Sequence, residues 1–329
     1  MSQSLFAQKP VLLYPSDTAV EIRVGEQMVT RLHFTKDLPK PVLYPVTSTE
    51  GTEITRGFPL NPREGDRIDH PHHIGIWFNH GDVNGLDFWN NSDAIAEEKR
   101  DKYGAIVPVK ILTTRSDAHG AIIETLSEWQ NHEGRPLLKE KTSYLFSVDG
   151  NAWILDRKTR LSALGDPVTF SDSKEGMYGI RLRQELELPT AKPARRIDAT
   201  GKVSATPITE HLLTSGSYLT SEGLTDDDAW GKTARWIRLS GNVEGKTISI
   251  IFMDHPGNQN FPAYWHARDY GLFAVNNLGR QSYNKKEDQV KFTLTKKQST
   301  TFFHRMIVVE GAPPDAAKIE NWYKEFVQK

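Results

Sequence analysis

The chain has 329 residues, with 41 lysines and arginines against 42 aspartates and glutamates and no cysteine. Near-neutral charge provides no basic field to gather nucleic acid, and the lack of cysteine removes disulfides, zinc–thiolate sites and thiol catalysis. Mean hydropathy is -0.53, and no apolar run approaches the roughly 20 residues of a transmembrane helix.

At the start of the chain, Leu5-Phe6-Ala7-Gln8 reads like the tail of a secretory signal whose charged region is missing. It favours a periplasmic or secreted protein over a cytoplasmic one. Between Arg56 and Trp89 polar and aromatic residues crowd together, and His70, His72, His73 and His80 fall within eleven positions. Pro71 cannot donate to a ladder, which predicts a loop or edge. Beyond it Ile74, Ile76 and Phe78 alternate with His73, Gly75, Trp77 and Asn79. That alternation predicts a strand whose first set faces the core while His73, Trp77 and Asn79 share a wet face.

Residues 105–164 alternate apolar and polar side chains, with turn residues at Asp117-Ala118-His119-Gly120, His132-Glu133-Gly134 and Asp149-Gly150-Asn151. This predicts an antiparallel meander of long strands. A polar break at Ser171-Asp172-Ser173-Lys174-Glu175 leads into a strand predicted over Tyr178 to Leu186. Pro189 to Pro207 reads as a linker or a long surface excursion. Strands are expected from Trp236 to Leu239 and from Thr247 to Phe252, with Ser240-Gly241-Asn242 between them, and again at 290–294 and 301–309. Only 313–327 reads as a helix, opened by Pro313-Pro314-Asp315, with Ala317, Ile319, Trp322, Tyr323 and Phe326 at helical spacing. The fold class is therefore all-β: one domain over 1–329, with two large antiparallel sheets packed face to face and a C-terminal capping helix.

Chemistry-bearing residues gather in three places. Clustered imidazoles suit acid–base work or a divalent metal, and His70, His72 and His73 are the metal candidates. In Tyr264-Trp265-His266-Ala267-Arg268-Asp269-Tyr270, strand alternation puts Tyr264, His266, Arg268 and Tyr270 together, and an imidazole beside a guanidinium suits a carboxylate or a developing oxyanion. Glu175, beside Gly176, suits a general base. Aromatic side chains amid Asn, Asp and Arg suit sugar rings. The expected catalytic set is His73, Glu175 and His266. The expected binding set is Arg56, His70, His72, Trp77, Asp87, Trp89, Trp265, Arg268 and Asn276. Walker A, dinucleotide, G-x-S-x-G and H-E-x-x-H motifs are absent.

The blocks Asp69-His70-Pro71-His72-His73-Ile74-Gly75-Ile76-Trp77, Asn84-Gly85-Leu86-Asp87-Phe88-Trp89, Glu175-Gly176-Met177, Gly231-Lys232-Thr233-Ala234-Arg235-Trp236 and Tyr264-Trp265-His266-Ala267-Arg268-Asp269-Tyr270-Gly271-Leu272 resemble a bacterial family of unknown function once labelled methane oxygenase PmoA. Methane oxidation by an integral membrane copper enzyme does not fit a chain this polar. The ending Phe303-His304-Arg305-Met306-Ile307-Val308-Val309 is similar, more loosely, to the closing strand of galactose-mutarotase-like supersandwich proteins. That likeness implies a histidine pair and a carboxylate acting on sugars from a concave sheet face. By residue type, His70, His72 or His73 with His266 and Glu175 match. The leading expectation is an enzyme acting on a carbohydrate or sugar acid by hydrolysis, elimination or epimerisation. A non-catalytic glycan-binding protein is the rival, and a metal-dependent oxygenase the third reading.

Overall fold

Local alternation and turn chemistry produce strands almost everywhere in the computed structural model, which describes residues 9–190, 192–207 and 213–328. The signal-like Leu5-Phe6-Ala7-Gln8 lies outside the described residues. In chain order the strands are β1 Val11–Pro15, β2 Ala19–Val24, β3 Gln27–His33, β4 Val42–Val46, β5 Ile76–His80, β6 Ala105–Asp117, β7 Gly120–Gln130, β8 Pro136–Asp149 and β9 Ala152–Ala163. They continue with β10 Val168–Ser171, β11 Gly176–Arg181, β12 Ser217–Thr220, β13 Trp236–Val243, β14 Lys246–Asp254, β15 Tyr264–Ala267, β16 Leu272–Asn276, β17 Lys291–Leu294 and β18 Ser299–Glu310. Helix α1 spans Ala316–Val327.

Two eight-stranded antiparallel sheets result. The first runs β1-β2-β3-β4-β5-β11-β16-β15 and the second β12-β13-β14-β18-β9-β8-β7-β6, while β10 and β17 form a small separate ribbon. The sheets bury their inner faces against each other. Phe252 of the second sheet lies 5.1 Å from the Tyr178 ring and 4.9 Å from the Phe273 ring of the first. Burying each such side chain is worth about 1.5–3 kcal/mol, which fixes which face of each strand turns inward. On the far side of the second sheet, Ile319, Trp322, Tyr323 and Phe326 of α1 cover Ile154, Trp236, Ile251, Met253 and Ile307. Asp315 caps the helix by accepting the Lys318 amide at 2.8 Å. The outer face of the first sheet carries the chemistry-bearing side chains.

The meander over 105–163 and the terminal helix match the sequence expectation; three other expectations are corrected. Ser240-Gly241-Asn242 is not a turn: these residues pair in register with Ser249, Ile248 and Thr247. The chain reverses at Glu244-Gly245, both left-handed at φ 53° and 82°, as a two-residue hairpin requires. Gly241 is there for space, since a Cβ would stand 2.9 Å from Leu186 Cδ2. The strand expected to reach Leu186 ends at Arg181 and gives way to a short 3-10 turn over Gln184–Leu186. Finally, Trp77 and Asn79 are fully buried. They do share a face, but loops fold back over it, and Trp77 packs there with Trp89, Tyr44 and Leu272. Within 192–207 the chain bridges back to the site's own loop, pairing Arg67 with Arg196, and to itself, pairing Ile197 with Val203.

Candidate active site

Register lines up the floor of the site on the outer face of the first sheet. Trp77 of β5 pairs with Gly179 of β11, Gly179 with Ala274 of β16, and Ala274 with His266 of β15. The two small residues keep this row low between two large rings. A Cβ on Gly179 would sit 2.9 Å from the Ala274 Cβ and 3.3 Å from Trp77 Cζ2.

Over this row lies the histidine loop, held by two buried arginines. Asp69 accepts from Arg56 Nη1 at 2.8 Å and from Arg181 Nη2 at 2.6 Å. Arg56 also donates to the carbonyls of Arg67, Asp69, His70 and His73 at 3.1, 2.7, 2.8 and 3.1 Å. This clamp holds His70 in the left-handed region, φ 44°, an uncommon conformation for a side chain of this size. Burial raises the Asp69 carboxyl, but the His70 hydrogen bond and the Arg181 and Arg56 charges overcome that and hold it well below the usual carboxylate range.

The loop's rings form a column. Trp77 stacks on His73 at 4.9 Å, His73 on His70 at 4.9 Å, and His70 on Tyr270 at 5.2 Å, with interplanar angles of 13°, 6° and 4°. The column runs from a buried foot to a solvent-facing head: His73 is 1% exposed, whereas the His70 side chain is 39% exposed. Arg181 Nη1 lies 3.2 Å from His73 Nδ1. Arginine can only donate, so Nδ1 accepts and the His73 proton resides on Nε2. Burial and then the neighbouring His72 and Arg181 push His73 well below the ordinary imidazole range, and burial followed by the Lys40 charge brings His72 down to about 2. His70, not His73, is therefore the member of this stretch that reaches the open site.

Across the row stand His266 and Glu175. His266 Nδ1 is 3.1 Å from the Lys174 carbonyl and 4.0 Å from Glu175 Oε2. A carbonyl only accepts, so Nδ1 donates and Nε2 is left as an acceptor. Burial, reinforced by Arg268, lowers His266 to about 3 and keeps it neutral. Burial raises the Glu175 carboxyl, and Lys174, 3.6 Å away, opposes this in part. Its side chain is 25% exposed, which leaves it open to a ligand. His70 exerts its charge on both Glu175 and His266, and Glu175 on both Tyr270 and Tyr283. These groups therefore share one electrostatic environment.

Arg268 closes the site. Its guanidinium lies 5.4 Å from the Trp230 ring and 5.3 Å from the Tyr270 ring, a cation–π sandwich. Tyr283 donates to the Lys174 carbonyl at 2.8 Å and meets His266 edge-on at 6.0 Å. The loop bearing Tyr283 hangs on Asp172, which accepts from the amides of Arg280, Gln281, Ser282 and Val290 at 2.8–3.0 Å. We expect Asp172→Ala to cost about 2 kcal/mol and to speed amide exchange across 280–290 at least tenfold. Unchanged exchange there would contradict the anchoring role.

The structure thus brings Glu175, His266, Arg268 and His70 together and places the other expected residues elsewhere. Arg56 is a clamp whose Nη1 and Nη2 donors are spent on the loop. Trp77 and Trp89 are fully buried, 5.2 Å apart. Trp265 points into the inter-sheet core, donating to the Ala234 carbonyl at 2.9 Å, so none of the three offers a face to a sugar. Asp87 builds a turn, accepting from the amides of Trp89 and Asn90. Asn276 ties the Ser173 carbonyl and the Leu278 amide. Among the described residues no three His, Asp or Glu side chains are arranged to hold a metal ion. Parallel stacking of His70 on His73 sends their in-plane lone pairs past one another. Arg181, Tyr283 and Asp172 complete the site beyond the expected set. Arg181 had one signal in the sequence, an arginine in an otherwise uncharged, buried strand.

Fold and site together define a two-sheet β-sandwich protein with a polar, aromatic-walled site on the outer face of one sheet. The chain belongs to the Family of unknown function (DUF6807), whose model matches residues 19–324. No curated protein matches. Three similar solved structures are a galactose mutarotase-like protein from Clostridium acetobutylicum, the Slr1438 protein from Synechocystis sp. PCC 6803 and the galactosidase domain of an alpha-galactosidase–sucrose kinase. The first is 12% identical, with 94% of this chain and 98% of that one covered and a TM-score of 0.39. The second is 14% identical, with 94% and 99% covered and a TM-score of 0.31. The third is 9% identical, with 92% and 42% covered and a TM-score of 0.38.

Proposed function

We propose that this protein is an enzyme that transforms a carbohydrate or sugar-derived acid by proton transfer, with Glu175 as the base. The observation that carries this reading is the pairing of a partly buried, raised carboxyl with a neutral histidine 4.0 Å away. A carboxylate whose charge is poorly solvated is a stronger base than one in water. Held neutral, His266 serves as a hydrogen-bond acceptor for a substrate hydroxyl and not as the acid. Trp230 and Tyr283 supply apolar ring surface of the kind that the C–H faces of a sugar need.

The carboxylate inventory favours elimination or epimerisation over hydrolysis. Glycoside hydrolysis generally uses two carboxyls roughly 5–9.5 Å apart. Here Asp69 is committed to two arginines, Asp87 to a turn, and Asp269 to Lys192 at 2.7 Å. That leaves Glu175 as the carboxyl suited to acid–base work: it takes the proton from a carbon next to a carbonyl or carboxyl group and passes it to the departing oxygen in an elimination, or exchanges it with solvent before the carbon is reprotonated in an epimerisation.

Proton NMR of a panel of acidic and neutral oligosaccharides incubated with the protein tests the reading. A new alkene signal or an inverted stereocentre is expected, with His266→Ala lowering kcat/KM about a hundredfold while circular dichroism is preserved. Binding without conversion, insensitive to Glu175→Gln, would instead establish a glycan-binding protein.

A further inference from the structure

We infer that the ligand of this site carries a carboxylate and that Arg268 receives it, so that the substrate is a uronic-acid-type sugar and not a neutral one. The inference deepens the proposed function and rests on it. Its starting point is how the cations around the site, Arg56, Arg181, Arg268 and Lys174, are paired. Asp69 is shared by Arg56 and Arg181, and Lys174 faces Glu175. Arg268 has no carboxylate partner among the described residues, and its Nε–H lacks an acceptor.

Among the described residues the buried arginines, by contrast, each face a carboxylate. Elsewhere Arg67 and Arg196 share Glu187, Arg157 takes Glu140, and Arg305 takes Asp156. The flanking rings of Trp230 and Tyr270 satisfy the faces of the Arg268 guanidinium but not its in-plane N–H edge. That edge is a fork matched to two coplanar oxygens. A carboxylate fits better than a phosphate. A dianion would meet the nearby Glu175 charge with few further donors to offset the repulsion, whereas a monoanion neutralises the Arg268 charge. Neutralising the acid also makes its α C–H easier to remove, which suits Glu175 as base.

The test uses matched pairs of methyl glycosides, the galacturonide against the galactoside and likewise for the gluco and manno series, titrated into the full chain by calorimetry. At least one uronide should bind tenfold or more tightly than its neutral twin, with the difference shrinking at high salt. Arg268→Gln should abolish that preference. Arg268→Lys, which keeps the charge and loses the fork, should retain part of it, and thermal melts confirm that both variants fold. Equal affinity within every pair overturns the carboxylate inference while leaving the carbohydrate reading standing. A preference that survives in Arg268→Gln overturns the assignment of Arg268. If no glycoside of either kind binds, the carbohydrate reading fails and the inference with it.

Discussion

Glu175→Gln should lower kcat about 10²- to 10⁴-fold and leave the thermal midpoint unchanged or slightly raised. The two halves of this expectation come from the same physics. The Glu175 side chain makes only long contacts, 3.6 Å to Lys174 and 4.0 Å to His266, so the fold loses little without its charge. Burial raises its carboxyl above the ordinary value. For a group raised in the folded state, the stabilising contribution is present below the unfolded pKa and is lost as pH rises through the folded one. At neutral pH the ionised form is therefore a small burden on stability, which the amide removes. Activity has the opposite dependence: only the ionised carboxyl accepts a proton, so the rate falls as pH drops through a value raised above that of an ordinary glutamate. Steady-state kinetics across pH and a thermal melt check both halves. A variant with full activity would remove Glu175 as the base.

Arg56→Ala should be the most damaging single truncation near the site, costing about 3–5 kcal/mol by chemical denaturation. Arg56 is buried and donates to four carbonyls and one carboxylate of a single loop. Deleting it strands those acceptors and leaves Asp69 with Arg181 as its one guanidinium partner. Activity should fall as well, through His70, whose position against Tyr270 depends on the clamp. The Asp69 contribution has its own pH signature. A carboxyl held low in the fold stabilises above its unfolded pKa of about 3.9 and loses that effect as pH falls through the lower folded value. An Arg56→Ala protein as stable as the parent would show that the loop is held by something else.

Much of the architecture was legible because it is local. Alternation over 105–163 and the turn residues at 117–120, 132–134 and 149–151 need only neighbours along the chain, and so does the apolar stripe of α1. The hairpin at Glu244-Gly245 was not, because Ser240-Gly241-Asn242 has turn-like composition for a non-local reason, the closeness of Leu186. Likewise the period of two along β5 correctly separated Phe78 from Trp77. It could not reveal that loops returning from elsewhere bury the second face too. The same limit governs the site. Glu175, His266 and Arg268 announced themselves by type and spacing. The choice of His70 over His73 depended on a ring column and an arginine clamp, and Arg181, Asp172 and Tyr283 matter only through partners distant in sequence. Trp265 shows the converse error: a tryptophan in polar company still belonged to the core, since strand alternation turns it opposite to His266.

Deuterium exchange measures the central claim most directly. Wild-type protein and Glu175→Gln are incubated in heavy water with the uronide that binds best, and the hydrogen on the carbon next to the carboxylate is followed by proton NMR and mass spectrometry. Glu175 acting as a base beside a carboxylate held by Arg268 predicts loss of that one hydrogen signal with wild-type protein, at a rate at least a hundredfold above that with Glu175→Gln. Exchange that is absent with wild-type protein, or that proceeds equally in the variant, would contradict it.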